Sequence, residues 1–336
     1  MINIISTQEN KSVISGPGKV FHNLIKGLNQ LSYPYVINRD LKATSRLWIH
    51  DDVAALRFIH RSRAKIVVGP NLFVLPKDIP SDIHLEKTLY LHPSESVINI
   101  WRKAGFEQAP MQSWPVGIDT EEFYPSNVPF EKRKVLVYHK KRNSNTLSLI
   151  LNELYAMGLD YNLLLYKNYA EEEYKELLAI TSFVIWHGGQ ESQGIALEEA
   201  LACDVPVLVC DLPRLSQTRV DYGFSTEFDS CLVSAAPYFD ETCGLKITDM
   251  GQIGYSIDKL LSNYDSFSPR SFVLKNLSLE SQAIAFVSLW EHWGMSLDDG
   301  YKEKVQNKKS YHIPLSSQIL QKFRRKFPLI INKRNS

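Results

Sequence analysis

Short apolar runs alternate with amphipathic segments along most of the chain, a pattern typical of α/β proteins. In the first part, apolar runs bounded by Gly, Pro, Asn or Asp predict strands. These strands are expected at residues 2–5, 35–38, 47–50, 66–70 and 89–92. Helices are expected after the turn Gly16-Pro17-Gly18 and from just before Val97. Because helices separate the strands, we expect a parallel sheet.

A second series of the same kind follows the Pro- and Gly-bearing segment 113–125. Its strands are expected at residues 135–139, 162–166, 183–186 and 206–210, with another closing the segment 237–247. Its helices are expected at 145–157 and 171–180, in a short apolar stretch that stops at Asp204, and at 251–263, 268–275 and 279–293. Two successive α/β series with a joint between them predict two Rossmann-like domains.

The composition is that of a globular protein long enough for two domains. Of 336 residues, 44% are hydrophobic and 22% charged. The first residues resemble a strand and not a signal peptide, and no apolar run is long enough to span a bilayer, so we expect a cytoplasmic protein. The four cysteines lack Cys-x-x-Cys spacing, which favours reduced thiols over a zinc site.

Charge is distributed unevenly between the body and the C-terminal tail. Residues 301–336 contain ten Lys or Arg and one Glu, a charge of +9, so the net charge of +1 leaves −8 on the first 300 residues. Within 316–331, apolar Ile319, Leu320, Phe323 and Phe327 are spaced among cations, a pattern suited to an anionic membrane surface. A solvated tail, or a helix docked on the first domain, is an equal alternative. Nucleic acid is not expected, because the body is acidic and has no reader motif.

The most informative stretch runs from His187 to Asp211, where a polar loop opens into an almost wholly apolar helix. Glu191 lies in the loop and Glu199 eight residues further on, inside the helix. A buried carboxylate needs a hydrogen-bonding partner. Helical periodicity places Glu198 and Glu199 on different sides of the helix and does not choose between them. The structural alternative is that one glutamate is exposed and the other pairs with a lysine.

Two further segments have chemistry suited to phosphate. Gly16-Pro17-Gly18 connects a strand to a helix, where backbone can approach a ligand, although such turns often serve only chain reversal. Lys140, Lys141 and Arg142 follow the first strand of the second series; the alternative is a solvated run of charge. No Asp-x-Asp motif stands at a strand end, so no metal site is expected.

Together these segments resemble the retaining glycosyltransferases of the GT-B fold known as group 1 or family four. Residues 191–207 are similar to their Glu-x7-Glu signature, 115–125 to their inter-domain connector, and Gly16 to Gly18 fall where their glycine loop lies. The resemblance implies two Rossmann-like domains facing each other across a cleft: an acceptor-side domain, 1–120, and a nucleotide-sugar-binding domain, 121–278. It also implies a C-terminal helix, about 279–295, that returns to the first domain, followed by the basic tail 296–336.

The resemblance further implies metal-independent transfer, with retention, from a nucleotide-diphosphate sugar, with UDP or GDP favoured over ADP and with no cofactor. Glu191 would contact the sugar, and Glu199 the ribose. Lys141 and Arg142 would stabilise the leaving diphosphate. Together with Glu191, they are the predicted catalytic residues. The predicted donor-binding residues are Gly16, Gly18, Lys140, Tyr166, Asn168, Gln190, Ser192, Gln193, Gly194, Ile195 and Glu199.

One departure from the family concerns the acceptor side. Many relatives carry a histidine after the fourth strand, where this chain reads Gly69-Pro70-Asn71. Asn71 and His50 are the candidates to replace it. The expected acceptor is a glycan, a lipid-linked group or a protein, in glycan or glycoconjugate synthesis, with the enzyme at the inner membrane face if the tail binds lipid. The alternatives are a GT-B-like protein that binds a nucleotide sugar or a partner without turnover, and a sugar-nucleotide epimerase.

Overall fold

The computed structural model describes residues 1–11, 15–70, 72–140, 142–218 and 223–298, with side chains up to residue 290. The predicted site residues Lys141 and Asn71 and the tail 301–336 lie outside the described residues. The chain divides into two compact units. Unit 1 comprises Met1–Gly117 and the chain from Asn276 onward, and unit 2 comprises Ile118–Lys275.

Unit 1 is built on a parallel sheet of six strands in the order β2-β1-β3-β4-β5-β6. The strands are β1 Ile2–Ile5, β2 Tyr35–Ile37, β3 Arg46–Ile49, β4 Lys65–Val68, β5 Thr88–His92 and β6 Met111–Ser113. The helices of unit 1 are α1 Gly16–Gln30, α2 Val53–Leu56, α3 Glu95–Lys103 and α9 Leu279–Asp298. Wholly buried strands such as β1 and β5 explain why the predicted runs were continuously apolar.

Unit 2 is built on a parallel sheet of five strands in the order β11-β10-β9-β7-β8. The strands are β7 Lys134–His139, β8 Tyr161–Leu165, β9 Thr181–His187, β10 Val207–Cys210 and β11 Gly244–Ile247. The helices of unit 2 are α4 Ser144–Ala156, α5 Glu171–Ala179, α6 Ile195–Ala202, α7 Ile253–Ser262 and α8 Pro269–Asn276. Short 3-10 helices lie at Ile59–Arg61, Pro76–Asp78, Phe130–Lys132, Leu215–Gln217, Thr226–Phe228, Met250–Gln252 and Tyr264–Ser266.

In both sheets, the order in which strands are added reverses at the first strand of the unit. In unit 1 the chain moves from β1 outward to β2 and then returns to β3 on the other side, and in unit 2 it moves from β7 to β8 and returns to β9. At such a switch point the loops that leave the two central strands diverge, and the crevice at their carboxyl ends is where open α/β sheets bind ligands. Each unit therefore has one such position.

The C-terminal helix α9 packs on unit 1, as the fold prediction required. The indole N–H of Trp114 donates to the carbonyl oxygen of Gln282 at 3.1 Å, and that of Trp290 donates to Lys65 at 3.1 Å. Phe286 packs between Trp48 and Trp114, with ring centroids 5.0 and 4.8 Å away. Buried aromatic rings whose N–H groups are satisfied fix the helix on the sheet.

Close approach of α1 and α9 depends on Gly27. A Cβ atom at this position would lie 2.6 Å from the Leu279 carbonyl oxygen and 2.9 Å from the Ala283 Cβ atom. We expect Gly27→Ala to lower the free energy of unfolding by about 1–3 kcal/mol through overpacking, although alanine is the better helix former. Urea denaturation followed by tryptophan fluorescence measures this change.

The matched control is Gly16→Ala at the start of the same helix, where no atom of the described residues lies within 4 Å of the added atom. It should stay within about 0.5 kcal/mol of the wild type. Equal stability of the two variants would contradict the close packing of α1 on α9.

Candidate functional site

The switch point of unit 2 lies between the carboxyl ends of β7 and β9. His139 is the last residue of β7 and His187 the last of β9, and the two are direct partners in the parallel pairing. The next backbone N–H, that of Lys140, donates to the His187 carbonyl oxygen at 3.0 Å. Two loops rich in polar residues therefore start side by side.

A shielded ion pair joins these two loops. The Lys140 Nζ atom lies 2.7 Å from Glu191 Oε2, and the two side chains are only 15% and 7% exposed. The same Nζ lies 4.4 Å from the centre of the Tyr166 ring, just past the end of β8. The structure thus brings three predicted donor-site residues together, with Lys140 in direct contact with Glu191.

Arg142 has a different environment. Its Nη1 atom donates to the carbonyl oxygens of Gly188 at 2.9 Å and Cys210 at 2.6 Å, at the ends of β9 and β10. The guanidinium therefore fixes the carboxyl ends of two strands and adds positive charge there.

The helix that follows Glu191 is short and buried. Gly194 precedes α6 in the left-handed region, with φ 95°, which glycine adopts without steric cost. Glu198 and Glu199 are 1% and 2% exposed. The structural alternative in which one of them is exposed is therefore wrong: α6 is enclosed nearly all round, and both carboxylates lie inside.

The two buried glutamates have different neighbours. Glu198 Oε2 accepts a hydrogen bond of 2.8 Å from Gln193 Nε2. Burial raises the pKa of Glu198 well above its usual range, and nearby Glu199 and Glu191 raise it further, against the opposing effect of the hydrogen bond from Gln193. Glu199 lies near Cys203, where burial and then the Glu199 charge raise the pKa of the thiol to about 12.

The remaining donor-site candidates lie along the same loops. Gln190 is buried, and Ser192 is exposed at the surface of the loop. Asn168 is exposed in the turn after β8, where its backbone N–H donates to the Leu165 carbonyl oxygen at 3.0 Å. Tyr138 of β7 stacks on Trp186 of β9 with ring centroids 4.2 Å apart, which forms a buried aromatic pair between these two strands.

A histidine pair was not assigned from the sequence. His139 Nδ1 and His187 Nδ1 are 2.9 Å apart, and His187 Nε2 is 2.8 Å from the Thr146 hydroxyl oxygen. Burial, followed by the charges of Arg142 and His139, lowers the pKa of His187 to about 3. Burial, followed by Arg142, lowers the pKa of His139 as well. The available signal was that one predicted strand ends at His139 and another is followed directly by His187.

Asp211 was also missed as a positioning residue. Its Oδ1 atom accepts hydrogen bonds from the backbone N–H of Ala235 at 2.6 Å and of Leu212 at 3.0 Å, and the Ser234 hydroxyl lies 3.3 Å away. The Ser234 carbonyl oxygen accepts the backbone N–H of Glu191 at 3.0 Å. Asp211 therefore fixes the segment that positions Glu191.

The switch point of unit 1 contains the other predicted residues. His50 follows β3 and is 1% exposed, with its ring 4.9 Å from that of Trp48. Its Nδ1 atom lies 3.2 Å from the Ser6 hydroxyl and 3.5 Å from Asp51 Oδ1. A carboxylate beside one ring nitrogen orients an imidazole.

Asp51 and the glycine turn are satisfied within unit 1. Burial alone would raise the pKa of Asp51, but hydrogen bonds from four neighbouring side chains hold it well below its usual range. The Gly18 N–H donates to the Ser15 hydroxyl at 3.1 Å, as a helix N-cap, whereas a Cβ atom added at Gly16 would meet no atom of the described residues within 4 Å. Across the described ranges, no group of three or more His, Cys, Asp or Glu side chains is arranged to hold a metal ion, and no helix there is long and apolar enough to cross a bilayer.

The buried carboxyl of Glu198 predicts a pH dependence of stability. Since its pKa is higher in the folded protein than the ordinary value of 4.5, the folded state holds a proton that the unfolded chain releases, and stability falls as pH rises above that value. We expect Glu198→Gln, which keeps the acceptor for Gln193, to be more stable than the wild type at pH 8. Thermal unfolding between pH 4.5 and 8 should show the difference shrinking toward the acid end. A pH-independent difference would contradict a raised pKa.

Neither the models of known protein families nor curated protein sequences match this chain. Its fold is similar to that of sucrose-phosphate synthase from Thermosynechococcus elongatus, with a TM-score of 0.55 and 11% sequence identity over 88% of this chain and 99% of that one. It is also similar to HepE from Anabaena in complex with UDP and glucose, with a TM-score of 0.52 and 10% identity over 86% of this chain and 99% of that one. At these identities the similarity concerns the fold. With two parallel-sheet α/β units, the chain has the predicted GT-B fold.

Proposed function

We propose that this protein is a retaining glycosyltransferase that moves a sugar from a nucleotide-diphosphate sugar to an acceptor in glycan or glycoconjugate synthesis, without a metal ion. The observation that carries the proposal is the shielded Lys140–Glu191 ion pair beside Tyr166 at the switch point of unit 2. The GT-B fold and the binding of UDP and glucose by HepE support a nucleotide sugar, and UDP in particular, as the donor.

The ion pair suits a site that exchanges partners when a donor binds. In the free protein Lys140 and Glu191 neutralise each other at 2.7 Å, which limits the cost of burying either charge. A diphosphate that binds beside Lys140 replaces Glu191 as the partner of the ammonium group. Glu191 then accepts hydrogen bonds from the hydroxyls of the transferred sugar. Both charges stay compensated, and the sugar is oriented by a carboxylate.

The loop and helix after Glu191 are suited to the rest of the donor. Residues 192–195 present backbone N–H groups at the start of α6, where an anion is favoured. Glu199 binds the ribose diol, which gives a buried carboxylate two hydroxyl donors. Tyr166 stacks on the base, and Asn168 adds a polar contact at its edge.

The chemical step depends on stabilising the leaving group. As the glycosidic bond breaks, the diphosphate gains negative charge, and cations fixed beforehand stabilise that state preferentially. Arg142, fixed by two carbonyl oxygens, supplies one such charge, and Lys141 is proposed as another. The acceptor attacks the same face from which the diphosphate departs, and the departing phosphate accepts its proton, so configuration is retained.

On the acceptor side we propose His50 and Asn71, with a glycan, lipid-linked or protein acceptor. His50 is supported by its placement at the switch point of unit 1 and by the Ser6 and Asp51 contacts that orient its ring.

A binding protein without turnover and a sugar-nucleotide epimerase remain the competing functions. The binding protein predicts no hydrolysis or transfer from any donor, and the epimerase predicts conversion of the nucleotide sugar with no acceptor present. The shielded ion pair supports transfer over passive binding, because in this proposal its carboxylate contacts the sugar and not only the nucleotide.

The basic tail supports a second, independent proposal: residues 301–336 bind anionic membrane on its inner face. The support is the charge of +9 and the amphipathic spacing of Ile319, Leu320, Phe323 and Phe327. We expect co-sedimentation with phosphatidylglycerol-containing liposomes, and we expect deletion of 301–336 to abolish it. Co-sedimentation unchanged by the deletion would refute the proposal.

Substitutions at the ion pair and at the ribose contact test the proposed enzyme. We expect Glu191→Ala and Glu199→Ala each to lower the transfer rate by about 100- to 1,000-fold, because each removes an interaction with the donor. Glu191→Gln should be similarly impaired, since the amide keeps the shape but loses the charge that pairs with Lys140. Transfer from radiolabelled donors measures these rates.

The matched control is Glu173→Ala on the exposed face of α5, which should transfer at the wild-type rate. Circular dichroism verifies that the variants fold. A thermal-shift panel of UDP, GDP, ADP and their glucose conjugates selects the donor, since a ligand at 100 times its Kd stabilises the folded state by about 2.7 kcal/mol. Full turnover by both alanine variants would refute the site.

A further inference from the structure

The hydrogen bonds around the histidine pair determine where its protons are. The Thr146 hydroxyl donates to the Asn143 carbonyl oxygen at 2.8 Å, so it accepts at its other contact, His187 Nε2. His187 therefore carries its proton on Nε2 and has a lone pair on Nδ1. The 2.9 Å contact between the two Nδ1 atoms then requires the proton on His139 Nδ1.

This assignment leaves the His139 Nε2 atom with a lone pair. Within the described part of the chain, the contact with His187 is the ring's one hydrogen bond. The ring stands at the carboxyl end of β7, directly before Lys140. The ring therefore offers a proton acceptor at the carboxyl end of β7, one residue before Lys140, which the proposed function places beside the diphosphate.

One charged group, Arg142, and several neutral groups face the ring from the elements around it. From the loop after β7, Arg142 acts on it, and from β9 comes neutral His187, which Thr146 of α4 fixes in turn. From β8, Leu165 is its register partner, and the Tyr166 N–H donates to the His139 carbonyl oxygen. Burial and Arg142 keep the pKa of His139 low in the free protein, so the ring is neutral there. An incoming phosphate reverses this balance, because a lone pair repels an anion and an N–H group attracts it.

We propose that His139 takes up one proton when a nucleotide diphosphate binds and donates its Nε2–H to a phosphate oxygen, while His187 remains neutral and accepts the Nδ1–H. The inference rests on the proposed function. The proton comes from solvent, and no covalent bond changes on binding. The resulting imidazolium places an additional positive charge beside the leaving group.

Proton uptake on binding gives a measurable linkage. We use UDP-glucose, because both of its phosphates are esterified and neither takes up a proton near neutral pH. Between pH 6 and 8 its Kd should rise by up to about tenfold per pH unit, as expected for one linked proton. Titration calorimetry in buffers of different ionisation enthalpy should show an uptake approaching one proton.

Two substitutions separate the charge from the hydrogen bond. His139→Gln keeps an N–H donor near the Nε2 position but does not titrate, so it should bind UDP-glucose with no proton uptake and a pH-independent Kd. His139→Asn keeps only the donor toward His187 and should weaken binding at pH 6 by about ten- to hundredfold. The control is His84→Gln at an exposed histidine of unit 1. Its proton uptake and the pH dependence of its Kd for UDP-glucose should equal those of the wild type.

The outcomes distinguish this inference from the proposed function. Equal proton uptake by the wild type and His139→Gln overturns the role of His139 while donor binding still stands. Failure of every nucleotide sugar in the panel to bind refutes the proposed function. The inference falls with it in that case. Nitrogen-15 NMR of the protein without donor tests the premise separately: the opposite tautomers, with protons on His139 Nε2 and His187 Nδ1, would overturn the inference even where a nucleotide sugar binds.

Discussion

The parallel pairing of β7 with β9 is the constraint on which the candidate site depends. It places His139 beside His187, starts two polar loops from adjacent strand ends, and lets Lys140 reach Glu191 across a separation of 51 residues along the chain. The neighbouring β8 and β10 add Tyr166 and the carbonyl oxygen that fixes Arg142. A shift in this register would separate all of these groups at once, because successive side chains in a strand point to opposite faces.

Charge balance is the second constraint. Glu191, Glu198 and Glu199 are all buried within one loop and one short helix, and three ionised carboxylates so close together would repel strongly. Two effects reduce this repulsion. Lys140 compensates the charge of Glu191, and burial raises the pKa of Glu198 so that its carboxyl group retains its proton. The negative charge of the loop is thus limited in the free protein, which allows an anionic ligand to approach.

Sequence periodicity was sufficient for two α/β series and for most of their strands and helices, since apolar spacing and Gly or Pro boundaries encode these locally. The GT-B fold was predicted from the family resemblance, and the short elements β6 and α2 were not predicted. Periodicity could not choose among Lys140, Lys141 and Arg142, because the strand-end geometry that directs Lys140 to Glu191 and Arg142 to carbonyl oxygens is not periodic. The pairing of His139 with His187 was equally inaccessible. It requires the register between two strands that are distant in sequence, which single-chain patterns do not contain.

The two switch points differ in how their polar groups are used. In unit 1, Asp51 accepts hydrogen bonds from Ser6, Thr7 and Gln8, so its carboxylate fixes the loop after β1. In unit 2, the switch point holds Lys140 paired with the buried carboxylate of Glu191, and His139 in contact with His187. An internally satisfied carboxylate changes little when a ligand arrives, whereas an ion pair and a neutral imidazole both can exchange partners. Under the proposed function, this contrast predicts that the groups of unit 2 exchange partners when the charged donor binds, whereas Asp51 of unit 1 keeps its hydrogen bonds.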